Sequence, residues 1–219
     1  ATVAEIWYAP NLSATAVRLL GGDGRTYLGP ALSPDGTTLA FATDEDASGR
    51  LTLQLLELAT GKRRKLPVDG YGSAGRPAFA PSGELYFDGT SNGRLALYRY
   101  DAASQTIVRV SPDDVSYRRP APIGTGLVLA EKHVEGKSAV RLVLLDERRA
   151  TETKLSDLDE VREPSCVVIG GKVRVAFISL ADAAEGEPRR FDVHLARLRG
   201  LPAADDAPEV SVSATEARS

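Results

Sequence analysis

Arginine and tyrosine side chains recur in this sequence at matching positions, shortly before a proline. Four arginines lie one or two residues ahead of such a proline: Arg76, Arg118, Arg119 and Arg162. Tyr27 and Tyr117 each lie three residues ahead of theirs. Planar guanidinium groups bind carboxylates, and rigid aromatic rings supply contact area, so these side chains are suited to anchoring a partner. The alternative is that the arginines pair with carboxylates such as Glu163 and Asp114 and hold neighbouring units together.

Patterns typical of catalysis are weak in this chain. His133 and His194 are its only histidines, which leaves little for a metal cluster or a nucleophile–base pair. The segment 71–75 (Tyr-Gly-Ser-Ala-Gly) lacks the first glycine of a hydrolase nucleophile turn, and a strand pattern follows it where a helix is required. We therefore predict no catalytic residues and no cofactor in this chain.

One acidic segment resembles the opening of a calcium loop. Oxygen-bearing side chains occur at alternate positions before Gly49, namely those of Asp44, Asp46 and Ser48. The closing carboxylate is missing, because Leu55 occupies the twelfth position. The segment is predicted to be an acidic hairpin, with calcium binding as the alternative.

The elements that position these residues repeat four times. Pro30, Pro77, Pro120 and Pro164 lie 47, 43 and 44 residues apart. A basic residue followed by an aliphatic one repeats with nearly the same spacing, at 18–19, 65–66, 109–110 and 154–155. A period of about 45 residues is typical of radial β repeats with four strands in each unit.

Each unit has the local pattern of four short strands. Residues 39–43 and 51–58 alternate between apolar and polar side chains, and the turn residues Ser33–Gly36 precede the first of these runs. One apolar residue of each second strand is predicted to lie in the core between sheets: Phe41, Phe87, Leu129 and Val175. The pattern leaves no room for helices.

These motifs resemble the TolB-like, WD40-like (PD40) propeller repeat of bacteria. The match is best at 29–41 with 55–66, good at 76–87 with 97–110, and weaker afterwards. The resemblance implies an all-β propeller of four-stranded antiparallel blades. It also implies that the residues before each proline lie near one mouth of the central channel, where the four arginines and two tyrosines would form a positive, aromatic-edged funnel.

The repeat phase predicts about four and a half blades in a single domain. Residues 1–22 match only the third and fourth strands of a blade, residues 23–68, 69–111, 112–156 and 157–213 form one blade each, and 214–219 is a tail. An outer strand is expected at 209–213. The ring is then five-bladed or incomplete, with a fragment of a six-bladed propeller as the alternative. Its open ends could associate with another molecule.

Composition favours a water-soluble globular domain. The chain is 42% hydrophobic and 26% charged, and no apolar run approaches the roughly 20 residues that cross a bilayer. A net charge of −3 gives no reason to expect nucleic acid as a partner. The single cysteine, Cys166, excludes an intrachain disulfide and is predicted to be a buried structural thiol. The chain contains no methionine, so we expect a processed or longer parent protein.

The sequence therefore predicts a non-catalytic binding or scaffold propeller that docks a protein segment or a small acidic ligand at the channel mouth. Export to the periplasm or the cell exterior is implied by the family resemblance alone. The alternative is a propeller accessory to an enzyme, either the gating domain of a serine peptidase or a diverged glycan-active propeller. A glycosidase needs two carboxylates facing one cleft, and only Glu163 is placed at the predicted funnel.

Overall fold

The computed structural model describes residues 3–9, 11, 13–45, 49–68, 70–133, 139–156, 158, 160–169, 172–180, 191–199 and 201, and the backbone of 211–216. All regular elements in these segments are strands, as predicted. They form one two-stranded sheet and four four-stranded antiparallel sheets.

The amino-terminal hairpin consists of β1 (Ile6–Tyr8) and β2 (Val17–Leu20). The four blades follow in chain order, and the strands within each blade are hydrogen-bonded in sequence. Their bounds are, for the first blade, β3 (Tyr27–Leu32), β4 (Thr38–Thr43), β5 (Thr52–Glu57) and β6 (Arg63–Lys65); for the second, β7 (Ala74–Phe79), β8 (Leu85–Ser91), β9 (Arg94–Asp101) and β10 (Thr106–Arg109); for the third, β11 (Tyr117–Gly124), β12 (Leu127–His133), β13 (Val140–Asp146) and β14 (Thr151–Lys154); and for the fourth, β15 (Val161–Ile169), β16 (Lys172–Leu180), β17 (Phe191–Arg199) and β18 (Ser211–Glu216).

The first strand of each blade is the inner strand. Strands β3, β7, β11 and β15 contact one another in sequence, which places them around the propeller axis. The anchor prolines lie within these strands, as the repeat predicts. The turn at Ser33–Gly36 joins β3 to β4, and the amide of Gly36 donates to the carbonyl of Ser33 at 2.9 Å. Gly36 has a φ of 71°, a conformation that glycine adopts without steric cost.

The core lies between adjacent blades. The four apolar residues predicted from the second strands are all at most 1% exposed: Phe41, Phe87, Leu129 and Val175. Separate apolar clusters join the first blade to the second, the second to the third, and the third to the fourth. Each blade therefore depends on its neighbours for burial of its apolar faces.

The amino-terminal hairpin and the fourth blade, which lie at the two ends of the row of sheets, expose apolar side chains. Trp7 and Val17 of the amino-terminal hairpin are each 56% exposed, and Phe191, Val193 and Leu195 of β17 are between 54% and 57% exposed. The β17 residues alternate along the strand, so they share one face of the fourth blade. This face corresponds to the faces by which earlier blades pack on their successors.

The outer strand of the fourth blade lies slightly later in the chain than predicted. It was expected at 209–213 and is found at Ser211–Glu216. His133 is the last residue of β12.

Candidate binding site at the channel mouth

A backbone irregularity recurs in every inner strand directly ahead of its proline. The pairing register shifts at the matching place in β3, β7, β11 and β15. The residue before the proline has a positive φ in all four blades: 56° at Gly29, 45° at Arg76, 54° at Arg119 and 54° at Glu163. Such a conformation costs a non-glycine residue about 1–3 kcal/mol and persists only where the surroundings stabilise it. In the third and fourth blades, the stabilising contacts come from the preceding blade.

Two buried carboxylates bind these bulges. Asp88 of β8 is 2% exposed and Glu131 of β12 is fully buried. The Oδ2 atom of Asp88 accepts a hydrogen bond of 3.0 Å from the backbone amide of Arg119, one blade further along. The Oε1 atom of Glu131 accepts a hydrogen bond of 2.7 Å from the amide of Glu163, again one blade further. Each carboxylate therefore joins its own blade to the bulge of the next blade.

The same carboxylates bind the predicted arginines. Arg76 Nη1 lies 3.2 Å from Asp88 Oδ2, and Arg118 Nε lies 2.6 Å from Glu131 Oε2. Arg119 contacts Glu163 through Nη1, and its Nε lies 3.6 Å from Glu131 Oε1. Glu163 is a pairing partner that the sequence suggested, whereas Asp88 and Glu131 were missed.

The missed carboxylates leave a faint sequence signal. Asp88 directly follows Leu-Tyr-Phe and Glu131 directly follows Leu-Val-Leu-Ala, each in a second strand whose apolar residues are predicted to be buried. A buried carboxylate requires a charged or hydrogen-bonding partner. The signal does not identify that partner, because the bulge amide belongs to another blade.

The charges of the arginines act on one another and on His133. Burial lowers the pKa of Arg119, and the charges of Arg76 and Arg118 lower it further, while Glu131 opposes the shift. Burial also lowers the pKa of His133, and the charges of Arg118 and Arg162 add to that effect. Arg76, Arg118 and Arg119 are linked through the Asp88 and Glu131 carboxylates, and the charge of Arg162 acts on the same histidine as that of Arg118. We call these four residues the arginine cluster.

The members of this cluster differ in exposure. The side chains of Arg76 and Arg162 are 46% and 37% exposed, against 17% for Arg118 and 23% for Arg119. Arg162 Nη2 lies 3.9 Å from its nearest described carboxylate oxygen, on Glu160. Arg76 and Arg162 consequently have the greatest capacity to meet a partner from solvent, whereas Arg118 and Arg119 lie deeper and bind Glu131.

The predicted aromatic edge is not found at the two tyrosines. Tyr27 is 2% exposed and Tyr117 is fully buried, so both rings lie in the core. The hydroxyl of Tyr27 donates to Asp23 Oδ2 at 2.6 Å, and that of Tyr117 donates to Glu152 Oε2 at 2.5 Å. Burial and these acidic partners raise the pKa of both phenols. The two residues anchor blades and offer no ring face to a ligand.

A cleft of about 440 Å³ opens beside Arg76, between the first and second blades. Its polar boundary includes Ser73, Arg76 and Asp88, and its apolar walls include Leu28 and Leu51. The volume falls within the range of small-molecule sites. It is large enough for one or two amino-acid residues.

His194 and Cys166 have structural environments. Nε2 of His194 lies 2.8 Å from Ser179 Oγ, and the imidazole stacks on Phe177. Burial raises the pKa of Cys166 to about 12, so the thiol is protonated at neutral pH. Its Sγ lies 3.2 Å from the carbonyl oxygen of Pro122. These contacts agree with the predicted structural thiol.

The calcium alternative rests largely on residues that the structure does not describe. Asp46 and Ser48 lie outside the described residues. Asp44 Oδ1 accepts a hydrogen bond of 2.8 Å from the amide of Thr26. The described segments contain no group of three or more histidine, cysteine, aspartate or glutamate side chains placed to hold a metal ion.

Comparison with solved structures decides the fold. TolB of Acinetobacter baumannii superposes with a TM-score of 0.63 at 19% identity, over 90% of this chain and 45% of that one. A TolB-type protein of Agrobacterium tumefaciens gives a TM-score of 0.60 at 19% identity, over 71% and 57%. The chain has a TolB-like propeller fold. It spans about half the length of these two TolB proteins.

Other propellers of this shape belong to enzymes. A puromycin hydrolase, solved as the S511A mutant complexed with PGG, superposes on this chain with a TM-score of 0.61 at 19% identity. The match covers 83% of this chain and 28% of the hydrolase. No family model and no curated protein sequence matches the chain. Within the described part of the propeller, no helix has the length and apolar character needed to cross a bilayer.

Proposed function

We propose that this TolB-like propeller is a non-catalytic binding module that docks a carboxylate-bearing partner at its channel mouth. The observation that supports the proposal is the arginine cluster contributed by three successive blades, with Arg76 and Arg162 reaching solvent. The partner is a protein segment or a small acidic ligand. An exported, envelope-associated setting agrees with the TolB-like fold.

The cluster suits an anionic partner because it is held in place before binding. Asp88 orients Arg76, while Glu131 orients Arg118 and Arg119, so little side-chain entropy is lost when a carboxylate arrives. Buried carboxylates balance the deeper arginines. Recognition therefore depends on the outer donors, chiefly those of Arg162, whose nearest described carboxylate oxygen is 3.9 Å away.

The test uses a capped, fluorescein-labelled hexaglutamate peptide and fluorescence anisotropy. Replacing Arg76 and Arg162 together by alanine should weaken binding by about 1–3 kcal/mol, and added salt should weaken binding to the unaltered protein. The matched control replaces Arg174 and Arg199, two exposed arginines of the fourth blade, and should leave the affinity unchanged. Unchanged binding after loss of Arg76 and Arg162, with earlier thermal unfolding, would assign these arginines to blade adhesion.

A second candidate is a propeller accessory to a serine peptidase. It is favoured by the superposition on a puromycin hydrolase and on a prolyl endopeptidase, the latter with a TM-score of 0.59 and covering 97% of this chain. In that case the channel mouth would admit peptides to a neighbouring hydrolase domain. Sequencing the gene on both sides of this segment decides the matter, since an adjoining hydrolase domain would support this candidate over the first.

A further inference from the structure

The first blade breaks a pattern that the next two blades keep. The residue paired with the second position before the proline is Asp88 in the second blade and Glu131 in the third. At the same register position the first blade has Ala42, paired with Leu28. Alanine supplies no acceptor, so the first blade cannot bind the bulge of the second blade as Asp88 and Glu131 bind the bulges that follow them.

The amide left without this contact is that of Arg76. Arg76 has the same left-handed backbone conformation as Arg119 and Glu163, whose amides donate to Asp88 and Glu131. The Arg76 nitrogen lies close to the first blade, since a Cβ atom built on Gly29 would be 3.7 Å from it. The side-chain hydrogen bond of Arg76 to Asp88 starts at Nη1, and among the side-chain hydrogen bonds of the described residues none starts at the Arg76 amide. The amide that binds a carboxylate in the third and fourth blades thus belongs, in the second blade, to a residue that lines the 440 Å³ cleft.

The rest of the cleft suits a carboxylate with a short aliphatic arm. Ser73 Oγ accepts a hydrogen bond of 3.2 Å from the amide of Leu51, which leaves its own proton available to a ligand. The side chains of Leu28, Leu51 and Leu95 supply apolar walls around these donors. A small number of convergent hydrogen-bond donors surrounded by apolar side chains is typical of small-ligand sites.

We propose that this cleft is a carboxylate subsite, in which a ligand carboxylate occupies the position that the side chains of Asp88 and Glu131 occupy in the next two blades. It accepts hydrogen bonds from the Arg76 amide and the Ser73 hydroxyl, and its aliphatic arm contacts Leu51 and Leu95. This subsite deepens the proposed function and rests on it. The carboxylate comes either from the C-terminal residue of a peptide or from a free aliphatic acid.

An NMR titration that follows the backbone amide signals tests this subsite. N-acetyl-leucine should move the Arg76 amide proton downfield, because hydrogen bonding to a carboxylate deshields it, whereas N-acetyl-leucinamide should not. The amides of Arg119 and Glu163 are internal controls, since they are already bound. A tetrapeptide ending in leucine with a free carboxylate distinguishes the sources: binding at least tenfold tighter than N-acetyl-leucine assigns a peptide C-terminus, and equal binding assigns a small acid. If the chemical shift of the Arg76 amide proton does not change, or changes equally with N-acetyl-leucinamide, the subsite is refuted.

The variant Ala42→Asp provides an internal carboxylate. It should shift the Arg76 amide downfield without ligand and weaken N-acetyl-leucine binding by at least about tenfold. Ala42→Ser is the control for added volume and should retain most of the binding. If Ala42→Asp does not fold, the titration of the unaltered protein still decides. If hexaglutamate binding depends on Arg76 and Arg162 but N-acetyl-leucine does not shift the Arg76 amide, only the subsite is refuted. If the Arg76 amide shifts but hexaglutamate binding does not depend on these arginines, only the proposed arginine site is refuted.

Discussion

At the scale of single residues, the buried carboxylates govern the joints between blades. Asp88 accepts from the Arg119 amide and lies beside the Arg76 guanidinium, so one side chain serves two blades. Its loss would leave a buried amide without an acceptor, which is costly in a desolvated site. Glu131 has the corresponding role one blade further on.

Replacing Asp88 by alanine should lower the free energy of unfolding by about 1–3 kcal/mol. Asp88→Asn should cost less, because the amide oxygen still accepts from Arg119. Urea denaturation measures both effects. The control is Asp113→Ala at a side chain that is 86% exposed, where we expect a change within about 0.5 kcal/mol. If Asp88→Ala is as stable as the unaltered protein, Asp88 does not stabilise the contact between the second and third blades.

The same residue predicts a dependence of stability on pH. Burial raises the pKa of Asp88 above its ordinary value, although the Arg119 amide and Arg76 oppose the shift. Between the unfolded pKa of about 3.9 and the raised folded pKa, the folded state holds the extra proton, so the stability due to Asp88 falls as pH rises through this window. Urea titrations at several pH values should show that the unaltered protein loses stability relative to Asp88→Asn across this window. A relative gain with rising pH would contradict the assignment.

At the scale of elements, the bulge of each inner strand determines which side chains face the core. One extra residue reverses the alternation of side chains in a strand. Tyr27 and Tyr117 precede the bulge and point into the core, whereas the side chains of Arg76 and Arg119 in the bulge contact the buried carboxylates. The bulge therefore separates anchoring residues from candidate binding residues within a few positions.

Gly29 tests the cost of this backbone conformation. Its φ is 56°, and a Cβ atom there would lie 3.5 Å from Pro77 Cδ, an ordinary contact. Gly29→Ala should therefore destabilise the protein by about 1 kcal/mol through backbone strain alone. Gly124→Ala is the control, because Gly124 has no positive φ and open space around it. Thermal unfolding should show a lower midpoint for the first variant and no decrease for the second.

At the scale of the whole molecule, apolar side chains are exposed on the amino-terminal hairpin and on the outer face of the fourth blade. Phe191, Val193 and Leu195 on the fourth blade and Trp7 on the amino-terminal hairpin are more than half exposed. Apolar patches of this kind and unpaired sheet edges favour association. Burial of such faces is what holds the inner blades together.

We therefore expect concentration-dependent self-association of this chain. Replacing Val193 and Leu195 together by lysine should reduce it, since two charges would be desolvated in the contact. Sedimentation velocity over a range of protein concentrations measures the effect, with Arg199→Ala on the same strand as the control. If the unaltered protein sediments as a monomer at every concentration, these faces do not associate with each other.

The sequence by itself determined the blades. The spacing of Pro30, Pro77, Pro120 and Pro164, the turn at Ser33–Gly36 and the strand alternation are local features, so they predict strand order, core positions such as Phe41 and the absence of helices from the described segments. It also put the four arginines at two adjacent repeat positions ahead of the anchor prolines. That they share one channel mouth stays a prediction.

Only the tertiary structure decided what those arginines contact. The Arg76–Asp88 pair depends on strand register, and the hydrogen bond from the Arg119 amide to Asp88 joins residues 31 positions apart in different blades. The inward turn of Tyr27 and the cleft above Ala42 depend on a bulge whose presence reverses the strand alternation. Contacts between blades are non-local, and a repeat pattern predicts that they exist without identifying the atoms that make them.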